Sequence, residues 1–479
     1  MSLVSLDPRT APPFPKAAKA DLRNTQLRRN VARATDTIQR KRAALVEEKQ
    51  DWQALREAGA AIRREVLNNL EHYLLQFEER FEAAGGTVHW AANAAEANAI
   101  ALNLLRAASA DEVIKIKSMT TAEIGLNDYL ARHGVTAHET DLAELILQLG
   151  HDQPSHIVVP ALHVNRQQVR EIFARQMHLP DLTDDPQALT AAARQYLREK
   201  FLRVKTAICG ANFLIAETGG ITIVESEGNG RMCLTLPKTL IAIVGIEKVI
   251  PRFSDLEVLL QTLPRSATGE RMNPYNSIWS GVVPGDGPKS MHVVLLDNGR
   301  SRVLRDGIGR QTLQCIRCGA CQNACPVYRQ TGGHAYGSVY AGPIGAILTP
   351  QLADMRHTES LPYASSLCGA CYEVCPVKIN IPEVLVHLRS RVVDRQRRKL
   401  ASLLDPERAA MLAMAAVFGN RRRYEASQRL ARTAQSTMRH NDAWYHWLPG
   451  MAGQWTKTRD LAPLPQQTFR DWWQQRGKS

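Results

Sequence analysis

Seven of the nine cysteines lie close together in the chain, in two runs that share one spacing. Soft thiolates in such runs hold iron–sulfur clusters, and a compact run that ends in Cys-Pro typically gives its fourth cysteine to a second cluster. The runs are Cys315-x2-Cys318-x2-Cys321-x3-Cys325-Pro326 and Ser365-x2-Cys368-x2-Cys371-x3-Cys375-Pro376. A serine, Ser365, therefore stands where the second run would have its first cysteine, and the segment predicts a module that moves single electrons.

The crossover of the fourth cysteines divides the seven thiols into two predicted ligand sets. The first [4Fe-4S] cluster receives Cys315, Cys318, Cys321 and Cys375, and the second receives Cys325, Cys368 and Cys371. One iron of the second cluster is then left to the oxygen of Ser365, to water or to a small ligand. A second cluster with only three irons is the other alternative.

Two further interpretations of the runs are open. Zinc knuckles also use cysteine, but they favour two Cys-x2-Cys pairs across a longer gap, which a compact run ending in proline does not match. A cluster that only holds the fold together is the second alternative. Because clusters with crossed ligands lie close together, the pattern favours electron transfer. The sequence has no GxGxxG fingerprint and no Walker loop, so no hydride site is predicted.

Composition places these runs in a chain of several packed domains. The chain has 479 residues, of which 44% are hydrophobic and 22% charged, so a single small module and a disordered chain are excluded. Lys and Arg number 60 against 47 acidic residues, and the surplus is concentrated between Val384 and His440, with thirteen basic and four acidic residues. This segment predicts a solvated face or an acidic partner, with nucleic-acid binding less favoured.

No stretch approaches the length and apolarity of a membrane-spanning helix, and the first residues lack the charged and apolar regions of a signal peptide. The expected location is therefore the cytoplasm, where thiols stay reduced, with peripheral contact at the inner membrane face as an alternative.

Apolar periodicity predicts an α/β domain before the cysteines. An amphipathic helix runs from Ile62 to Phe81, and the pattern then alternates, which is typical of a parallel sheet covered by helices. Predicted helices are Ala94 to Ala107, Ile124 to Arg132, Leu142 to Leu149 and Val169 to Met177. Predicted strands are Thr87 to Trp90, Val113 to Ile116, one near Val135, Ile157 to Val159, Ile221 to Glu225, Met232 to Leu236, Leu240 to Val244 and His292 to Leu296.

The expected division of the chain has four parts. Residues 1–60 form an N-terminal arm and helix, and 61–300 form the α/β domain. Residues 301–390 form the cysteine-rich module, and 391–479 form a basic, helical C-terminal region that is rich in tryptophan. Cys209 and Cys233 lie in apolar surroundings and are predicted to be core residues.

The cysteine runs and several motifs resemble the lactate-utilisation iron–sulfur proteins of the LutB/YkgF type over nearly the whole chain. The motifs are Gly332-Gly333-His334-Ala335-Tyr336-Gly337, Tyr340-Ala341-Gly342-Pro343-Ile344-Gly345, Leu367 through Val377, Glu217-Thr218-Gly219-Gly220, Pro463-Leu464-Pro465 and Phe469-Arg470-Asp471-Trp472-Trp473. The resemblance implies a LUD domain, similar to the NagB/RpiA/CoA-transferase-like fold, followed by an α-helical ferredoxin-type domain with two [4Fe-4S] clusters. Its pattern has the same ligand split.

The resemblance also implies a function. Proteins of this type are subunits of an L-lactate-oxidising system that work with a cysteine-rich-domain subunit and a small LUD subunit. They pass electrons from lactate towards a respiratory acceptor. The resemblance gives no catalytic residues in the α/β part, and none are named. Other donors, such as glycolate, glycerol phosphate or heterodisulfide systems, are alternatives, as is a metabolite-sensing redox regulator.

Overall fold

The computed structural model describes residues 5–398, 405–437, 444–450 and 453–476. The described residues belong to two compact units, one within 1–392 and one within 393–479. No helix in the described ranges is long and apolar enough to cross a membrane.

A six-stranded sheet forms the centre of the first unit. All of its strand pairs are parallel, in the order β1-β10-β7-β4-β2-β3. Its β-branched and aliphatic residues are buried on both faces, as in other α/β proteins. The strands are β1 Thr87–Ala91, β2 Glu112–Lys115, β3 Thr136–Glu139, β4 Thr206–Cys209, β7 Thr239–Gly245 and β10 Ser290–Leu296. The predicted parallel sheet is therefore present, and Cys209 lies in its core.

A smaller mixed sheet lies in the same unit, with the order β8-β5-β6-β9. Its first pair is parallel and the other two are antiparallel. The strands are β5 Phe213–Ile215, β6 Gly220–Glu225, β8 Val249–Ile250 and β9 Tyr275–Trp279. Residues 217–220 carry one of the sequence motifs; 217–219 lie in the turn between β5 and β6, and Gly220 begins β6. An added Cβ at Gly219 (φ +69°) would lie 2.6 Å from the backbone nitrogen of Phe81.

Helices cover the large sheet and lead into it from the N-terminus. They are α1 Phe14–Asp21, α2 Thr25–Glu47, α3 Trp52–Asn68, α4 Leu70–Ala83, α5 Ala94–Ala107, α6 Met119–Glu123, α7 Leu126–Arg132, α8 Leu142–Gly150, α9 Arg166–Gln176, α10 Pro186–Arg203, α11 Asn229–Thr235, α12 Asp255–Ala267 and α13 Arg300–Leu304. The predicted helix from Ile62 to Phe81 is two helices, because Asn69 leaves the helical conformation with φ −128° and ψ 36°.

Two strand predictions are wrong. Met232 to Leu236 lies in and just beyond helix α11, because the carboxylate of Glu225 accepts hydrogen bonds from the backbone N–H groups of Gly230 and Arg231 in its first turn. Ile157 to Val159 forms a bend, and its backbone N–H groups bond to side chains instead of to a neighbouring strand.

The cysteine-rich segment consists of short helices joined by turns. Its α-helices are α14 Ala320–Ala324, α15 Pro326–Thr331, α16 Gly342–Leu352, α17 Met355–Thr358 and α18 Ala370–Val374, and α19 Ile381–Arg397 follows. The N-terminal arm packs against this segment. Leu27 and Val31 of α2 are buried in the same apolar cluster as six of the seven clustered cysteines. Gln39 of the same helix donates to the carbonyl oxygen of Asn323 over 2.6 Å.

The second unit contains α20 Pro406–Phe418, α21 Arg421–Thr437, α22 Gly453–Thr456 and α23 Phe469–Arg476. Helix α20 has no buried residue, although positions 409–418 are all apolar. Helix α21 is basic, as the sequence predicts, and residues 399–404 and 438–440 of the basic segment lie outside the described residues. The five C-terminal tryptophans are exposed: Trp444, Trp447, Trp455, Trp472 and Trp473.

Candidate metal centre

The two cysteine runs adopt the same backbone conformation. In the first run, Arg317 and Gly319 have φ of 61° and 72°, and in the second Leu367 and Gly369 have φ of 56° and 85°. Each run then enters a five-residue helix, α14 or α18, and leaves it at a cysteine in extended conformation. Two left-handed residues in each loop turn successive backbone N–H groups inwards, which is how a chain forms an anion-binding concavity. The two runs are therefore structural repeats.

Backbone N–H groups also reach sulfur atoms in both runs. The N–H of Arg317 points to Cys315 Sγ, with N and S 3.4 Å apart. The N–H of Tyr328 lies 3.5 Å from Cys325 Sγ, and that of Ile379 lies 3.4 Å from Cys375 Sγ. Hydrogen bonds of this kind stabilise thiolates and tune the potential of a bound cluster.

Four thiols meet at one place. Cys315, Cys318, Cys321 and Cys375 line a single cavity together with the apolar side chains of Ile344 and Val377. Burial raises the pKa of Cys318, and the neighbouring Cys375 and Cys315 raise it further. The fourth cysteine of the second run thus lies with the first three of the first run.

The other three clustered thiols form a second group. Burial raises the pKa of Cys371 to about 12, and the nearby Cys325 and Cys368 add to this shift. The pKa of Cys325 is raised mainly by burial, and Cys368 contributes. Cys321 of the first group lies close enough to Cys371 for each charge to affect the other, so the two groups are adjacent. Cys368 is exposed, whereas the other six clustered cysteines are buried.

These residues fit iron–sulfur clusters. Buried thiols in one another's neighbourhood resist ionisation, so they become thiolates only around a group that supplies positive charge, as iron does. The donor set is entirely soft, which suits such clusters. Among the described residues, Nη1 of Arg317 is buried without a hydrogen-bond partner, and the Arg317 side chain lies close enough to Cys315 to interact with it electrostatically.

Buried arginines of α3 hold the two runs in position. Arg56 donates to the carbonyl oxygens of Cys375 and Tyr372, each over 2.9 Å. Arg63 donates to the carbonyl oxygens of Gln314, next to the first cysteine, and of Val249 in the small sheet. A buried guanidinium without hydrogen bonds raises the free energy of the folded state. Each arginine therefore holds in place the loop carbonyls to which it donates.

A buried chain of charges links the parallel sheet to the first run. Glu247 and Arg300 follow the carboxyl ends of the neighbouring strands β7 and β10, and Arg300 Nε lies 2.5 Å from Glu247 Oε2. Arg300 also binds Glu123, which accepts a hydrogen bond from Tyr340 Oη over 2.6 Å. The other carboxylate oxygen of Glu247, Oε1, forms an ion pair with Arg317 Nη2 over 3.2 Å. The carboxyl edge of the sheet, where open α/β folds bind ligands, therefore meets the first cysteine loop.

Tyr336 and Tyr340, between the two runs, are buried. The guanidinium of Arg317 lies over the ring of Tyr340, with its carbon Cζ 4.8 Å from the ring centre. Tyr336 packs against Phe14 of α1. Both tyrosines are thus part of the packing around the first run and do not form an outer surface.

The structure also gathers three residues that sequence spacing does not connect. A carboxylate oxygen of Asp152 and one ring nitrogen each of His163 and His334 lie within 4.8 Å of one another. Asp152 and Ser155 bond the two nitrogens of His163 over 3.0 and 2.7 Å. His334 belongs to one of the sequence motifs, but the partners come from a loop of the α/β part. Sequence reasoning missed this cluster because histidines separated in the chain carry no ligand spacing.

Comparison with known proteins identifies three segments. Residues 74–296 match the LUD domain, and residues 311–379 match the 4Fe-4S dicluster domain. Residues 392–478 match the family described as lactate utilisation protein B, C-terminal. The order of an α/β LUD domain, an iron–sulfur domain and a C-terminal region agrees with the predicted fold class.

Curated relatives match along almost the entire length. "Lactate utilization protein B" of Oceanobacillus iheyensis is 43% identical over 95% of this chain and 94% of its own. Proteins of the same name from Bacillus velezensis and Bacillus subtilis are each 40% identical over 97% of both chains. A crystal structure of a DUF162 family protein from Deinococcus radiodurans covers 47% of this chain and 98% of its own at 13% identity, with a TM-score of 0.27 that is too low to support any argument.

Proposed function

The chain belongs to the lactate utilization protein B family, and we propose that it is an iron–sulfur electron-transfer subunit of an L-lactate-oxidising system. The name of its relatives supports the place in lactate utilisation. The single observation that supports electron transfer is the adjacency of two thiol groups built from crossed runs. In this proposal, 61–300 is the LUD domain, 301–390 the ferredoxin-type domain and 391–479 the C-terminal region, with 1–60 packed on the ferredoxin-type domain.

The proposal assigns the ligands as follows. Cys315, Cys318, Cys321 and Cys375 hold one [4Fe-4S] cluster, and Cys325, Cys368 and Cys371 hold the second. Such clusters supply one-electron oxidation and reduction when bound. The chain's own part is to hold the thiolates by backbone N–H groups, to exclude water from six of them by burial, and to keep the two groups next to each other.

The buried charges give the first group a direct structural link to the LUD domain. Arg300 and Glu247 lie at the carboxyl edge of the parallel sheet, and Arg317 connects them to the loop of Cys315. The thiol of Cys368 is exposed, so the second group is accessible from the surface. In the proposed order of electron transfer, the first cluster lies on the LUD side and the second exchanges electrons with a partner.

The C-terminal region is proposed to bind an acidic partner subunit. Helix α20 exposes large apolar side chains, including Met411, Leu412 and Phe418, each more than half exposed. Helix α21, which follows it, begins with three arginines. An exposed apolar helix beside a cationic one fits a partner that offers an apolar groove with an acidic rim. The cysteine-rich-domain subunit and the small LUD subunit of the same system are the proposed partners.

The test is reduction of the clusters by lactate. The chain is purified without oxygen together with co-expressed partner subunits, and its absorbance and EPR spectra are followed after adding L-lactate, glycolate or glycerol phosphate. We expect bleaching of the cluster absorbance with L-lactate only. Reduction by another donor would move the chain to a different oxidoreductase. Clusters that dithionite reduces but none of these donors does would favour a redox sensor.

A further inference from the structure

We propose that the Oγ of Ser365 is the fourth protein ligand of the second cluster. This inference rests on the proposed two-cluster module and names the donor that three cysteines leave open. The observation that carries it is the placement of Ser365 Oγ, which repeats that of a cysteine sulfur in the first run.

The repeat is visible atom by atom. In the first loop, the backbone N–H of Arg317 donates to Cys315 Sγ, two residues earlier, over 3.4 Å. In the second loop, the backbone N–H of Leu367 donates to Ser365 Oγ, also two residues earlier, over 3.1 Å. Arg317 and Leu367 share the left-handed conformation that directs these N–H groups, with φ of 61° and 56°. Ser365 therefore presents an oxygen where the first loop presents a ligand sulfur.

The backbone of Ser365 is held in place. Arg389 of α19 donates from Nη2 to the carbonyl oxygen of Ser365 over 3.1 Å and from Nε to that of Pro362 over 2.9 Å. The preceding residue, Ala364, is buried, and Ser365 itself is half-buried. Because a preorganised donor binds a metal group at a smaller loss of entropy, this support favours a ligand over a mobile surface serine.

The hydroxyl has the capacity to bind iron. Its hydrogen bond from Leu367 uses one lone pair of the oxygen, and within the described residues its proton has no acceptor. When an Fe–O bond forms, Ser365 Oγ loses this proton to solvent and displaces a water or hydroxide from the iron, and no oxidation state changes. The N–H of Leu367 stabilises the resulting alkoxide, as the N–H of Arg317 does the Cys315 thiolate.

The experiment compares Ser365→Ala and Ser365→Cys with the matched control Ser366→Ala, whose side chain is the exposed neighbour in the same loop. Each full-length chain is purified without oxygen, with 57Fe incorporated. Iron and sulfide are counted, and Mössbauer and EPR spectra are recorded before and after mild oxidation with ferricyanide. None of these readouts depends on turnover.

For the wild type we expect about eight irons per chain and one Mössbauer component from an iron bound by oxygen. Ser365→Cys should keep the irons and convert that component to an all-sulfur one. Ser365→Ala should lose about one iron on mild oxidation and develop the EPR signal of a three-iron cluster, whereas Ser366→Ala should behave as wild type.

Three results would overturn the inference. An oxygen-bound component that persists unchanged in both Ser365 variants would assign that site to water or a small ligand, and the two-cluster proposal would stand. A wild-type second cluster with three irons before any oxidation would leave no iron for Ser365 to bind, and the two-cluster proposal would again stand. If the wild type binds only about four irons, or zinc, the two-cluster proposal itself fails and the inference fails with it.

Discussion

Arg317 Nη2 lies 3.2 Å from Glu247 Oε1, and this ion pair joins the first cysteine loop to the end of a strand in the parallel sheet. Both side chains are buried, and Glu247 is only 1% exposed. The second oxygen of Glu247 binds Arg300. One carboxylate therefore bridges two buried guanidinium groups at the boundary between the α/β part and the cysteine module, and Arg300 has Glu123 as a second partner.

We expect Glu247→Gln to destabilise the protein by about 3–5 kcal/mol, because it leaves the buried Arg317 without its carboxylate partner and Arg300 with Glu123 alone. Denaturant unfolding of the cluster-loaded chain measures this free energy. Glu57→Gln is the matched control, since its ion pairs with Arg64 and Lys378 are exposed and should change stability by less than about 1 kcal/mol. Equal losses of unfolding free energy in the two variants would show that the buried ion pairs stabilise the protein no more than the exposed ones.

The same carboxylate predicts a dependence on pH. Despite burial, which raises its pKa, Arg300 and Arg317 lower the pKa of Glu247 to about 2, from 4.5 in the unfolded chain. A depressed folded-state pKa gives stability that is present above pH 4.5 and lost as the pH falls towards 2. Unfolding free energies between pH 6 and pH 3 should fall less steeply with decreasing pH in Glu247→Gln than in the wild type. Parallel profiles would contradict the prediction.

Alanine variants of single cysteines test the crossed ligand sets. Cys375→Ala should remove the same EPR signal as Cys318→Ala, although they belong to different runs, because both thiols line one cavity. Cys325→Ala and Cys371→Ala should share the loss of the other signal. In each case we expect about half of the iron to remain. Cys209→Ala, in the sheet core, should keep all of it. If Cys375→Ala matched Cys371→Ala, each run would serve its own cluster.

Gly333→Ala should damage the packing of the α/β part on the cysteine module. An added Cβ at Gly333 would lie 1.9 Å from the carbonyl oxygen of Ser155, so a backbone segment has to move. Such overpacking costs about 1–3 kcal/mol, and we expect this loss in denaturant unfolding. Gly307→Ala is the control, because its Cβ would meet nothing within 4 Å. An unchanged stability in Gly333→Ala would mean that the two loops separate readily.

The exposed helix α20 predicts a loss of binding when it is made polar. The triple variant Met411→Ser, Leu412→Ser and Phe418→Ser should weaken association with the co-expressed subunits at least about tenfold, because apolar anchors supply most of the energy of such interfaces. Size-exclusion chromatography and affinity measurements check this, and iron content reports on the rest of the chain. Deletion of residues 440–479 tests the tail in the same assay. Full assembly by both variants would exclude the C-terminal region as the docking surface.

Local patterns predict much of the α/β part. Helix α5 is predicted with its observed bounds, and β7 and β10 within two residues, because their apolar periodicity is strong. Met232 to Leu236 is predicted as a strand, since its capping carboxylate, Glu225, lies outside the apolar stretch. Asn69 breaks a helix without glycine or proline, so periodicity alone does not locate the break.

The candidate site divides in the same way. The cysteine spacing alone identifies all seven clustered thiols, and the assignment of each thiol to a cluster stays a prediction. The buried charges are missed by sequence patterns, because Glu123, Glu247 and Arg300 become neighbours only where parallel strands end at one edge of the sheet. Arg56, in the predicted arm, and Arg63, in the predicted helix from Ile62, are missed as well, since a helix pattern gives no indication that its arginines bond the carbonyls of distant loops.

The exposure of Cys368 determines where oxidation by air should first damage the protein. Six clustered thiols are shielded by packing, whereas this one is open to dissolved oxygen and peroxide, which attack accessible thiolates first. Damage should therefore begin at the group of Cys325, Cys368 and Cys371 and leave the other group intact for longer. A partner that covers Cys368 would act as a shield, so the isolated chain should be more fragile in air than the assembled complex.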